Sequence, residues 1–175
     1  MKHAFKVLMM ISVLALTLVT VANAGGVKMP PDTSSPELQR IKGLAGRWST
    51  VSSMFGKRQR LFTEYEVTAG GSAVLERIFP GTPYEMASVY YDDNGKLTMT
   101  HYCIMRNRPT LKLTSSSKDT LSFRLAKIEG AKSKKDPSMS QLSIVFKDKN
   151  HMAQTCEGKG KGEKPMTTEF TRVRK

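Results

Sequence analysis

The sequence predicts an all-β fold: an antiparallel up-and-down β-barrel of about ten strands, preceded by one short helix. Three observations predict it. After residue 47 there is no helical period, and stretches of about eight residues with β-branched or aromatic content recur every ~10–14 residues. Turn residues separate these stretches. Where apolar residues alternate, each stretch has one dry face and one mixed face, as a single closed layer requires.

The elements follow in chain order. Residues 1–24 read as a secretory signal: Lys2 and Lys6 without an acid, an apolar run from Val7 to Val21, then Ala22-Asn23-Ala24 as the cleavage site. A membrane-spanning helix wants about 20 apolar residues and a stop-transfer flank, so cleavage and a periplasmic or secreted product are expected. No cysteine follows the cut, so no lipid anchor is expected. Residues 25–34, rich in Pro, Gly and Ser, read as a flexible arm, and residues 35–175 as one barrel domain. Ser35 and Pro36 supply an N-cap and a first helical residue. Leu38, Ile41 and Leu44 lie about one turn apart, and Gly43 and Gly46 end the helix.

The expected strands are 47–54, 60–68, 72–79, 85–91, 96–104, 110–114, 120–127, 140–147, 151–158 and 166–173. Asn94-Gly95, between Tyr90-Tyr91 and Leu97, is the strongest hairpin signal. In 96–104, Leu97, Met99, His101 and Cys103 share one face, against Thr98, Thr100 and Tyr102. Closing such a sheet into a barrel removes the edges that invite aggregation. Met86, Met99, Met139, Met152 and Met166 are candidates for a yielding interior.

The formal charge is +13, and the two lysines lost with residues 1–24 lower it to +11 over the remaining 151 residues. Such an excess keeps a protein soluble and also attracts polyanions. The lysine-rich stretch 132–135 and Lys159-Gly160-Lys161 read as hairpin tips that could graze an anionic membrane surface. They carry no interleaved aromatics, so nucleic-acid binding is not expected. Cys103 and Cys156 permit a disulfide in an oxidising compartment, provided that both point inward and meet across the barrel.

The chain resembles a known group. The helix followed by Gly46-Arg47-Trp48 is similar to the G-x-W signature of lipocalins and the wider calycin group. Phe170-Thr171-Arg172 is similar to their last strand. The resemblance implies that Trp48 and Arg172 (or Arg174) close the barrel floor by stacking and by hydrogen bonds to the incoming helix. Met86-Ala87-Ser88-Val89-Tyr90, Leu97 through Cys103, and Asn107-Arg108-Pro109 resemble a group of exported bacterial lipocalin-like proteins of unassigned function. A standard lipocalin has eight strands and a C-terminal helix, whereas this chain ends in a strand. Ten strands without a long helix look more like nitrobindin, the haem-carrying barrel. Nitrobindin's axial histidine lies near its C-terminus, and here the strand 166–173 contains none.

The candidate ligand-binding residues are His101, Met99, Cys103, Tyr102 and Arg108. A polar pair such as His101 and Cys103 on a dry face needs hydrogen-bond partners or a ligand. His101 could anchor a ligand's polar group or coordinate a haem iron, or be a satisfied buried histidine. Arg106 and Arg108 follow a strand end, where two guanidinium groups could grip an anion or simply be solvated. His151 and Cys156 fall on opposite faces of one strand, so no zinc set forms with His101 and Cys103, and no metal is expected. No nucleophile–base constellation or phosphate loop is visible, which makes an enzyme the poorer expectation. The expected function is a lipocalin-like carrier of a small hydrophobic or amphipathic molecule. The alternatives are a haem-binding barrel, or a structural domain with a filled interior.

Overall fold

The computed structural model describes residues 28–133, 136–159 and 164–174. The expected signal segment lies outside them, as do Lys134, Lys135, Gly160 and Lys161. Residues 28–35 run without regular structure into helix α1 (Pro36–Lys42). Ser35 caps α1: its Oγ accepts from the Leu38 N–H at 3.1 Å and donates to Asp92 Oδ1 at 2.7 Å. The Ser35 N–H donates to Asp92 Oδ2 at 2.7 Å, so the cap also fastens the helix to the barrel. Leu38 and Ile41 are fully buried, whereas Arg40 faces outward and donates to the carbonyls of Ser117 and Lys118.

Ten antiparallel strands follow: β1 (Gly46–Ser52), β2 (Gln59–Thr68), β3 (Ala73–Ile78), β4 (Met86–Asp93), β5 (Lys96–Tyr102), β6 (Arg108–Ser116), β7 (Thr120–Glu129), β8 (Ser138–Phe146), β9 (His151–Lys159) and β10 (Met166–Arg172). Each pairs with its neighbours in sequence, and β1 pairs with β10 through Trp48–Arg172 and Ser49–Thr171, closing the barrel. Between β4 and β5, Asn94 (φ 52°) and Gly95 (φ 76°) take the two left-handed positions of a primed hairpin turn.

Alternation sorts the side chains. Leu61, Thr63 and Tyr65 of β2 point inward, as do Val74 and Glu76 of β3, Ser88 and Tyr90 of β4, and Leu97, Met99 and His101 of β5. Outward positions carry ion pairs such as Arg77–Glu85 and Lys147–Glu169. The α1 end is packed solid: Leu38, Ile41, Trp48, Leu97, Leu121, Ile144 and Met152 are all essentially inaccessible. Each such side chain contributes about 1.5–3 kcal/mol by leaving water.

A cation seals this end. The Arg172 guanidinium stacks over the Trp48 ring at 4.2 Å and donates to three carbonyls: Gly43 at 2.8 Å, Ala45 at 2.7 Å and Lys149 at 2.9 Å. The Trp48 indole N–H donates to the Leu44 carbonyl at 2.8 Å. Gly46 sits beneath this group at φ 120°, and a Cβ there would lie 3.2 Å from Arg172 Nη1. Helix, first strand and last strand are thus one joint.

Candidate functional site

The opposite end of the barrel is open. A cavity of about 640 Å³ runs down from it, with Ile78, Phe79, Met86, Met105, Met139 and Met166 among its walls. That volume lies within the few hundred to a thousand Å³ of small-molecule sites. Its lining is mainly apolar, and four of its polar groups gather at the bottom: Glu76, Ser88, His101 and Gln154.

Strand register explains this gathering. Tyr65 stands opposite Glu76, Glu76 opposite Ser88, and Ser88 opposite His101, so four polar residues form one transverse row across β2 to β5. All four point inward because their strands share one alternation. Gln154 reaches the row from β9 and donates to Glu76 Oε1 at 2.8 Å and to the Tyr65 hydroxyl at 2.6 Å. Tyr65 donates to Glu76 Oε1 at 2.7 Å, and Tyr90 to Oε2 at 2.8 Å. Burial first, and then the negative charge of Glu76, push both phenols well above the ordinary tyrosine range, so they keep their protons and donate.

His101 is 2% exposed. Its Nδ1 lies 3.1 Å from Ser88 Oγ, which orients the ring and leaves Nε2 without a hydrogen-bond partner among the described residues. Burial pushes the imidazole down to about 4, so the ring is neutral at neutral pH.

The other expected site residues divide. Cys103 lines the cavity beside His101, and Met99 lies fully buried in the packed half, outside the lining. Tyr102 is 48% exposed on the outer surface, because the alternation that turns His101 in turns its neighbour out. Arg108 is exposed at the start of β6 and lies outside the lining, so neither Tyr102 nor Arg108 reaches the cavity. Cys156 lines the cavity from β9, with β6, β7 and β8 between it and β5. No disulfide joins Cys103 and Cys156. A disulfide needs Cα atoms within about 4–7 Å, and the ladder sets Cys156 opposite Met166 and Leu142 rather than Cys103.

The motif Asn107-Arg108-Pro109 builds the rim. The Asn107 carbonyl accepts from the Cys103 N–H at 3.1 Å, and its Nδ2 donates to the Pro137 carbonyl at 2.8 Å. This ties the β5–β6 turn to the segment before β8. Glu76, Gln154 and the Tyr65 beneath them escape a motif-based reading, and the stretch 86–90 that holds Ser88 and Tyr90 assigns them no site role. One signal could have found the first of them: Glu76 alternates with Val74 and Ile78, an acid on the dry face of a strand. Among the described residues, no group of three or more His, Cys, Asp or Glu side chains could hold a metal ion.

A closed barrel of ten antiparallel strands with one short helix is consistent with the lipocalin and calycin architecture. No protein-family model matches this chain, and no curated protein matches it.

Proposed function

We propose that this chain is an exported, lipocalin-like carrier that holds a small hydrophobic or amphipathic molecule inside its barrel. One observation carries the reading: a cavity of about 640 Å³, open at one end, sealed at the other, apolar along its walls and polar at its floor. Apolar walls supply affinity and a few placed polar groups supply orientation. Export rests on the signal-like residues 1–24. The test is native mass spectrometry of protein purified from its own host, beside a Met139→Trp variant whose indole would narrow the cavity. A non-covalent adduct is expected on the wild type and a smaller adduct-bound fraction on the variant. An empty wild-type protein that also fails to bind a lipophilic dye would refute the reading.

The mouth suits a cargo that comes from a membrane. Tyr102, Ile104, Met105 and Met166 are exposed at this end, among the cations Arg106, Arg108 and Lys164. Apolar contacts ringed by positive charge favour anionic lipid surfaces. Co-sedimentation with phosphatidylglycerol vesicles and not with phosphatidylcholine vesicles is expected.

A haem carrier is a second reading, favoured by the neutral imidazole of His101 at the cavity floor. The residues present fit the group as far as a single nitrogen ligand, His101, which would hold the iron. A Soret band that forms on adding haemin and is lost in His101→Ala would support this reading over the first.

A further inference from the structure

Glu76 is 1% exposed and lines the cavity floor. Among the described residues, no ion pair reaches it. Its partners are all neutral: Tyr65, Tyr90 and Gln154. A carboxylate offers about four lone-pair positions. Oε1 receives two donors, from Tyr65 and Gln154, whereas Oε2 receives one, from Tyr90, which leaves an acceptor position at the floor. Hydrogen bonds lessen the cost of burying a charge, and an opposite charge in contact with a free acceptor position lessens it further.

The rest of the row supplies no such charge. Ser88 is neutral, and burial keeps the His101 ring unprotonated at neutral pH. The cavity's remaining cationic side chain among the described residues, Lys164, is exposed and stands at the mouth, just before β10 begins. The long axis therefore runs from a negative floor, past methionine and phenylalanine walls, to a positive rim. A ligand with a carboxylate head would have to set that head against Glu76 or leave it at the rim with its tail pointing inward. A ligand with an ammonium head can enter head first, meet Glu76 and leave its chain against Met86, Met139 and Met166.

We infer that the cavity selects alkyl-ammonium amphiphiles over fatty carboxylates, with Glu76 as the group that receives the ammonium N–H. This rests on the carrier reading and gives it a ligand class. Hydrogen-bond donors without charge, such as long-chain alcohols, rank between the two.

The test is displacement of the neutral dye Nile red from the full chain by dodecylamine, dodecanol and dodecanoate, each below its solubility or micelle-forming limit, at pH 7. In the wild type the amine is expected to displace at least about tenfold more tightly than the carboxylate, about 1.4 kcal/mol. Glu76→Gln should bring the amine to within about threefold of the carboxylate (roughly 0.7 kcal/mol) and leave dodecanol unchanged. Tyr90→Phe, which keeps the carboxylate and removes one of its donors, should retain the amine preference. Circular dichroism and retained dye binding show that each variant is folded. Should Glu76→Gln not fold, the wild-type ranking still decides. Equal displacement, or a preference for dodecanoate, overturns the inference and leaves the carrier reading standing. Failure of the dye and of all three competitors to bind overturns both.

Discussion

Lowering the pH tests the buried imidazole most directly. The His101 ring is held near 4 in the folded chain, against an ordinary value of 6.5. Above pH 6.5 neither state binds the proton, and the group leaves stability unchanged. As the pH falls from 6.5 towards 4, the unfolded chain takes up a proton that the folded chain refuses, so stability is lost across that window and levels off below it. Between pH 8 and pH 5 the loss assigned to this one ring is about 2 kcal/mol. Urea unfolding at pH 8, 7, 6 and 5, run in parallel on wild type and on His101→Gln, isolates it. The variant begins less stable, having lost the orienting contact with Ser88 Oγ. Its curve of stability against pH should nonetheless be flatter by that amount, since the two proteins differ only at this ring. Parallel curves, or a wild-type His101 ring that titrates near 6.5 by NMR, would refute the claim that the cavity floor desolvates it.

Three further outcomes concern the joint and the floor. Gly46→Ala should lower stability by about 1–2 kcal/mol in urea melts, since φ is 120° and the added methyl presses on Arg172 Nη1. Arg172→Leu removes the donor to three carbonyls and the cation over Trp48; a loss of about 2–4 kcal/mol is expected, with a changed tryptophan fluorescence spectrum. Tyr90→Phe takes one of three donors from a buried carboxylate and should lower the urea-derived unfolding free energy by about 1–3 kcal/mol.

The strands were legible because a half-buried sheet writes its period into the chain. Asn94-Gly95 marks one hairpin, Ser35-Pro36 marks the helix start, and the alternation of Leu97, Met99 and His101 gives the inward face of β5. The reading weakens where the ladder slips. Around β6 the register shifts at Thr110/Leu111 and again at Leu113/Ser115, so Arg108–Ser116 is longer than the 110–114 that alternation suggests. There Pro109, Thr110 and Leu111 are all buried in succession, which hides the period. The site was half legible for a related reason. His101 and Cys103 announce themselves by parity within one strand. The Tyr65–Glu76–Ser88–His101 row exists only through register between strands, and Gln154 joins it only once the sheet has curled round to bring β9 opposite. No local pattern carries that information.

The seal between α1, β1 and β10 has a practical corollary. Met29 lies against Gly70 and residues 28–35 lead into the capped helix, while the Val173 N–H donates to the Arg47 carbonyl next to Trp48, so the described chain enters and leaves beside the sealed base. A fluorophore or surface tether attached at Met29 or Val173 therefore sits at the end away from the opening. Immobilised in this way, the protein stands like a goblet on its foot, its opening towards the solution.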